Sequence, residues 1–598
     1  MSSWRRFGAL VVAAGLVVGP VTTAAGTGQA APGGAVRVNE LGYGAFDSKA
    51  AYVLSRSVAT RFSVVDRHGR RVLSGAVGKD VGEWNAAYPH VYQLDLSALK
   101  VPGSYRVEVP GVASAAFEVR ASSDRLRTSA KDKAVGFFTA QRDNAHRNDA
   151  KALVYEIPEF VDPDSDQTVG ELKRIGGPVD VTGGWYDAGD YLKFTHIAAY
   201  SESLLWASVR DRPDRTVLAE ARHGLDWLDK MWDQRTRTLY IQVGVGAGND
   251  TETYIGDHDI WRLPGVDDHL TDPSERFLRN RPVFRAAAPG KPISPNLAGR
   301  TAAAFALAAQ VEPNRADARR HLETAAQIFA QAKTTNVGQL VTSLPFAFYP
   351  ETAWRDDLEL GATELALAAK RLGDPRAGAW LKQAGYWASQ YIQHEAGGDT
   401  LNLYDVSALA HADLIRAARS DRPLVRELAG DLRAQLEIGA SRSAADPFRA
   451  GAQYAEFDAV PHTFGLATTA RLYARATGDH RYDGFGQHQL DWAFGANAWG
   501  VSFMIGVGPT FERCPHHQIA NITGRQLTGA VVNGPNSADL FTDGLDDYLD
   551  GMTPCPADAS DPYAQYTGHD SRYVDDVRSW QTAEPADDFA AIAVYALT

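Results

Sequence analysis

The hydrophobic period of this chain changes once, near Ser123, and that change constrains the fold more than any other feature. Before it, short stretches alternate apolar and polar residues with turn residues between them. Val36-Arg37-Val38 opens the series, and Arg61 to Asp66, Val91 to Leu96, Gly103 to Val109 and Ala116 to Val119 continue it. About seven short strands in such a segment predict an immunoglobulin-like β-sandwich over residues 35–120.

After Ser123 the apolar spacing becomes i, i+3, i+4, which is helical. It does so over 126–142, 196–210, 216–232, 296–311, 315–332, 357–372, 376–393, 403–418, 422–439, 460–477, 480–494 and 585–597. Gly373-Asp374-Pro375 and Ser420-Asp421-Arg422-Pro423 supply caps and first-turn prolines where new helices start. Ala302, Ala303, Ala306 and Ala309 exemplify a small-residue side that lets neighbouring helices approach. An even number of antiparallel helices, joined alternately by short turns and long loops, predicts a closed ring of hairpins. The expected second domain is therefore an all-α (α/α)6 barrel over 124–598. Its long loops, 143–195, 233–295, 333–356 and 495–584, hold the aromatics, histidines and paired acids and can build a cleft at one end.

Length and charge narrow the function. At 598 residues, 44% hydrophobic and 22% charged, the chain has a multidomain globular composition. A net charge of -13 argues against a nucleic acid partner, which Lys and Arg would have to neutralise. Arg5 and Arg6, the apolar run Ala9 to Val18 and small residues near Ala25 or Ala30 form an export signal over residues 1–30. The alternative, a membrane anchor, needs ~20 apolar residues, and Gly15, Gly19 and Pro20 interrupt this run. A secreted monomer with no membrane contact after signal removal is expected. In an exported chain, Cys514 and Cys555 either form a disulfide across a loop of about 40 residues or remain as buried thiols. Neither has a zinc-finger neighbour, so no metal site is expected from them.

Asp180-Val181-Thr182-Gly183-Gly184-Trp185-Tyr186-Asp187-Ala188-Gly189-Asp190-Tyr191 places two carboxylates three residues apart among glycines and rings. Helix capping would explain Asp187 and Asp190 alone. It does not explain the glycines and aromatics around them, which suit close backbone approach and stacking on a sugar.

Asp180 to Phe194 resembles the DVTGGWYDAGDhxKF signature of glycoside hydrolase family 9, the inverting endoglucanases and their relatives. The likeness continues at Gly256-Asp257-His258-Asp259-Ile260-Trp261, along Ser294 to Ala303, from Gly495 through Pro515-His516-His517, and at Gly529 to Asn536. Val36 to Tyr43 resembles the start of the immunoglobulin-like module found in one branch of that family. The resemblance implies that Asp190 is the general base, that Asp187 helps to hold the attacking water, and that Glu584 is the general acid. Trp185 and Tyr186 of the motif are candidate sugar-stacking rings, and His258, Trp261, Tyr349, Trp354, His516 and His517 match or neighbour residues that line the family's sugar subsites, although each could be a core aromatic or a satisfied histidine. Apolar Trp580 and Phe589 could raise the pKa of the acid.

The resemblance implies no required cofactor. Asp257-His258-Asp259 and Asp543 to Asp550 have the oxygen donors of a structural calcium site without its EF-hand spacing, and equally suit solvated acid clusters. Departures are Ala583 where the family often has Asn, Gln518 where it has Arg, and Glu584-Pro585-Ala586-Asp587-Asp588-Phe589 in place of its usual acid-site run. These put substrate preference in question. The expected substrate is a β-1,4-linked, cellulose-like glucan polysaccharide or oligosaccharide. The alternatives are an exo-acting or oligosaccharide-specific β-glycosidase of the same fold releasing glucose or glucosamine units, and a binder that does not cut. A metal hydrolase using His516 and His517 lacks the ligand spacing.

Overall fold

The computed structural model describes residues 33–398 and 401–598, so the export signal read over 1–30 lies outside the described residues. Among them no helix is long and apolar enough to cross a membrane.

The N-terminal part is two packed sheets. Strands β1 (Gly34–Val38), β2 (Tyr43–Gly44), β3 (Ala50–Ser55), β4 (Arg61–Asp66), β5 (Arg71–Ala76), β6 (Asp80–Gly82), β7 (His90–Asp95), β8 (Gly103–Val109), β9 (Val112–Ala113) and β10 (Phe117–Arg120) form it. One sheet has the order β1-β3-β7-β6; the other is β2-β10-β8-β4-β5, with β9 on β8. Val36, Val38, Val53 and Leu94 of the first sheet meet Val64, Val107, Phe117 and Val119 of the second in one apolar cluster. The opposite face of the first sheet is also buried. Ala35, Tyr52 and Leu54 join the core of the helical part, together with Trp84, whose ring packs edge-on against Phe448, Tyr454 and Trp499. All of β3 is therefore buried, which explains why its apolar run, Ala50 to Leu54, lacks the alternation of its neighbours.

Among the described residues twelve helices of at least ten residues follow: α1 (Asp124–Gln141), α2 (Thr195–Asp211), α3 (Arg215–Met231), α4 (Pro295–Val311), α5 (Arg315–Phe329), α6 (Arg355–Leu372), α7 (Ala377–His394), α8 (Ser407–Ala417), α9 (Arg422–Ala445), α10 (Ala459–Thr477), α11 (Asp483–Ala493) and α12 (Asp587–Ala596). Helices α2, α4, α6, α8, α10 and α12 touch in that order, and α12 returns to α2 to close a ring. The remaining six pack outside it, each against a neighbour of the ring. Ring helices such as α4 and α12 are buried along almost their whole length, whereas α3 and α5 bury one stripe and expose the other. Alanines at the ring contacts keep the backbones close.

The loops carry a feature that corrects the all-α expectation. Strands β11 (Ala152–Tyr155), β12 (Arg174–Val179), β13 (Lys193–Phe194), β14 (Trp232–Asp233), β15 (Thr238–Val243) and β16 (Val283–Arg285) form a six-stranded sheet, ordered β12-β11-β16-β15-β13 with β14 on β15. Every residue of β15 is buried, so Thr238 to Val243 gives no period-two signal. The sheet braces the loop that enters α2 at the mouth of the ring.

Candidate active site

A cleft of about 890 Å³ opens on these loops, lined by Asp187, Asp190, His258, Trp261, Tyr349, His516 and Glu584 among others. The Asp187–Asp190 loop is not a helix cap: α2 begins at Thr195, with Phe194 in the cap position. Buried ties shape the loop instead. Lys193, fully buried, donates to the carbonyls of Val181 (2.8 Å) and Gly183 (2.9 Å) and pairs with Asp143 (2.8 Å) and Asp149 (3.1 Å). Arg281 pairs with the same two acids, so they are neutralised from both sides. Gly184 has a φ of 75°, and a Cβ there would lie 2.6 Å from the Trp227 ring.

Loops far apart in sequence meet at Gly189. Its N–H donates to Glu584 Oε1 at 3.2 Å, and its carbonyl accepts from the Gln518 N–H at 2.9 Å. The His516 N–H bonds the Ala583 carbonyl (3.1 Å), the Asn533 N–H the Glu584 carbonyl (3.1 Å), and the Asp587 N–H the Asp187 carbonyl (2.8 Å). Four loops are thus joined by main chain around the three acids. A disulfide between Cys514 and Cys555, with Cα atoms 5.4 Å apart, anchors the loop that carries His516.

The acids have different surroundings. Burial, then the charge of Asp190, pushes the Glu584 pKa up to about 8. Burial also raises Asp190, but this is opposed by His258, whose Nε2 lies 3.0 Å from Asp190 Oδ2. Asp187 is raised well above the usual carboxylate range by burial and by the neighbouring Asp587 and Asp190. Tyr349 donates to Asp187 Oδ2, while its Oδ1 is buried without a partner. Both carboxyls are thus raised above the ordinary range, Asp187 the further, because His258 offsets part of the burial at Asp190. Burial works against a charged His258, yet Asp166, 3.0 Å from its Nδ1, and Asp190 together hold its pKa well above the ordinary value. Burial lowers His516 to about 4 and His517 to about 3, so both are neutral near pH 7.

Four residues expected to line the subsites do not line this cleft. Trp185 is buried against Phe138 and the α3 residue Gly224. The Tyr186 hydroxyl donates to Asp143 at 3.0 Å beneath the loop. Their rings anchor the loop to the core, with the neighbouring carboxylates left for the cleft. His517 is turned inward, 2.9 Å from Gln141 Oε1, and accepts the Ala520 N–H at 3.3 Å. Trp354 packs edge-on to Trp387 under the Arg355 guanidinium at the start of α6. Conversely, the cleft includes Asp166, Phe457, Asp458 and Asn533, which sequence reasoning did not place there, and Trp580, read only as an apolar neighbour of the acid. Asp458 has a φ of 68° and a pKa raised by burial to about 6. Nothing in its local pattern marks it.

The acid-rich turn at Asp257 does not fit a calcium ion. Asp257 pairs with Arg262 at 2.8 Å and accepts the Tyr191 N–H, and Asp259 accepts the Gly248 and Gly256 N–H groups. Among the described residues Asp190, Asp257 and His258 lie close together, with Asp257 taken by Arg262, and a second close group, His196, Glu351 and Asp357, already holds the Arg300 guanidinium, 2.9 Å from Glu351 and 2.6 Å from Asp357.

The model of glycosyl hydrolase family 9 matches residues 128–597, and that of the cellulase N-terminal ig-like domain matches residues 31–114. Endoglucanase A of Bacillus pumilus is 26% identical over 433 residues, 68% of this chain, which spans 62% of that protein's length. Endoglucanase 14 of Arabidopsis thaliana is 25% identical over 445 residues, covering 64% of this chain and 83% of its own. The crystal structure of the family 9 endoglucanase J30 superposes with a TM-score of 0.70 at 23% identity, covering 93% of this chain and 98% of its own. A single mutant of a thermostable endoglucanase from Alicyclobacillus acidocaldarius does so at 0.67 and 21%, covering 94% and 98%. At these identities the two structures speak for the fold.

Proposed function

The chain belongs to glycosyl hydrolase family 9, and on that footing we propose that it is a secreted, inverting hydrolase of β-1,4 bonds in cellulose-like glucans. The single observation that carries the reading is the Gly189 hydrogen bond, which joins Glu584 to the loop of Asp187 and Asp190 within one cleft. We read the closed ring as an (α/α)6 barrel over 124–598 and the two sheets as an immunoglobulin-like support over 35–120. The protein acts as a monomer and requires no cofactor.

Inversion uses an ionised base that activates water on one face of the sugar and a protonated acid that donates to the leaving oxygen on the other. Asp190, in contact with His258, is the base; Asp187, fixed by Tyr349, positions the water. Glu584, its pKa raised into the neutral range, retains its proton at pH 7 and donates it to the glycosidic oxygen.

Proton NMR of the first product from a β-1,4-gluco-oligosaccharide tests the mechanism. The expected outcome is an α-anomer from a β-linked substrate, and a β-anomer rules inversion out. Asp190→Asn should lower turnover by about 100-fold or more, and Asp187→Asn by less.

A further inference from the structure

We infer that Asp166 is a positioning residue of the hydrolytic site: it fixes the His258 imidazole and, through that ring, the carboxylate of Asp190, a role that rests on the reading of Asp190 as the base. Asp166 Oδ2 lies 3.0 Å from His258 Nδ1, and His258 Nε2 lies 3.0 Å from Asp190 Oδ2. The other oxygen of Asp190 accepts the Leu192 N–H at 2.9 Å, so the carboxylate is held at both oxygens and cannot turn. When both acids are ionised, an imidazole between them avoids lone-pair repulsion only by donating from both nitrogens, and the acceptor at Nδ1 sets what Nε2 can do. Without Asp166 the ring loses one of the two acceptors that favour its charge over burial. The other ionisable groups around His258 do not replace it. Asp257 is paired with Arg262, and Asp259 accepts the Gly248 and Gly256 N–H groups. Beyond Asp190 lies Glu584, raised to about 8, and His516 is neutral near pH 7.

The surrounding backbone seats Asp166 for this contact. A Cβ at Gly246 would lie 3.0 Å from Asp166 Oδ2 and 3.1 Å from the Phe348 ring, which packs 5.5 Å from the His258 ring. The Gly246 carbonyl accepts the His258 N–H at 2.7 Å. One glycine therefore leaves room for the acid and holds the histidine's main chain at the same time. The segment that carries Asp166 is tied down just beyond it: the Thr168 N–H donates to the Gly248 carbonyl at 3.1 Å, and the Thr168 carbonyl accepts the Asp250 N–H at 2.9 Å. Asp162 and Asp164 of the same run are exposed, whereas Asp166 is half-buried against His258.

The test measures kcat and KM on cellopentaose across pH, with melting temperatures, for wild type and the variants Asp166→Asn, Asp166→Glu, Asp162→Asn, Gly246→Ala and Asp190→Asn. Asp166→Asn keeps the shape of the side chain and removes its charge. It should lower kcat roughly tenfold with little change in KM, and move the acid limb of kcat up by about one pH unit, because Asp190 then binds its proton more tightly. Asp166→Glu, which keeps a carboxylate, should return the limb toward its wild-type position. Gly246→Ala displaces the acid without changing any charge and should lower kcat in the same direction. Asp162→Asn removes a charge from the exposed part of the segment and should match wild type. A wild-type kcat and acid limb in Asp166→Asn would overturn the role, as would a lowered melting temperature with an unmoved limb, which marks a structural contact. Asp190→Asn separates this outcome from the functional reading: if it turns over at the wild-type rate, Asp190 is not the base and both fall. If it is inactive while Asp166→Asn is unchanged, only the role of Asp166 falls.

Discussion

Replacing Gly189 with alanine tests whether base and acid are held in register by main chain. A Cβ at this position falls 2.1 Å from the carbonyl oxygen of His516, 3.0 Å from its carbonyl carbon and 3.1 Å from Cα of His517. All three are backbone atoms, so no rotamer change relieves the contact. A carbon-to-oxygen approach closer than about 3.3 Å is repulsive, and one of the two loops must therefore move by about 1 Å. The same movement stretches the Gly189 bonds to Glu584 and Gln518. Overpacking of this kind costs about 1–3 kcal/mol, and a shift of about 1 Å at reacting groups lowers the rate by about 100-fold. The assay is kcat on cellopentaose together with urea unfolding. Gly136→Ala is the control: it lies within α1 with nothing within 4 Å of the added carbon, and should stabilise by about 0.5–1 kcal/mol. Wild-type kcat and stability in Gly189→Ala would show that the loops relax freely and that the backbone register does not set the geometry.

Three further outcomes follow from the acid and the disulfide. Activity should fall on the alkaline side with a midpoint near pH 8, as Glu584 loses its proton, and a profile flat to pH 10 would contradict that assignment. Because the folded pKa of Glu584 exceeds its unfolded value of 4.5, its contribution to stability is complete below about pH 4.5 and is lost as pH rises to about 8. Glu584→Gln should thus gain on wild type most above pH 8, with a ceiling of about 5 kcal/mol that partial exposure to the cleft reduces; equal gains at pH 4 and pH 9 in calorimetry would refute it. The Cys514–Cys555 bond closes a sequence separation of 41 residues, so its removal should lower stability by about 4 kcal/mol. Identical melting of the oxidised and reduced protein would show that the loop needs no tether.

Each of the twelve stretches read as helical from apolar spacing is occupied by a helix, because the 3.6-residue period reports which side a segment buries and needs no knowledge of its neighbour. The same local rule failed at Ala50 to Leu54 and Thr238 to Val243. Both strands are covered on two faces by elements distant in sequence, and burial on both sides erases the alternation. At the cleft, the Asp180 to Tyr191 motif marked a chemically unusual loop, but residue type could not tell a ring that stacks on a ligand from one that anchors the loop. Trp185 and Tyr186 point into the core because Phe138 and Gly224 receive the indole and Asp143 the phenol there, whereas Trp580, read only as an apolar neighbour of Glu584, lines the cleft. The pairing of Gly189 with Glu584 spans 395 residues. Local pattern determined the elements and the candidate acids; their common cleft, the direction of each ring and the proton affinities were decided by non-local packing, which brings together groups that share no period or spacing in the chain.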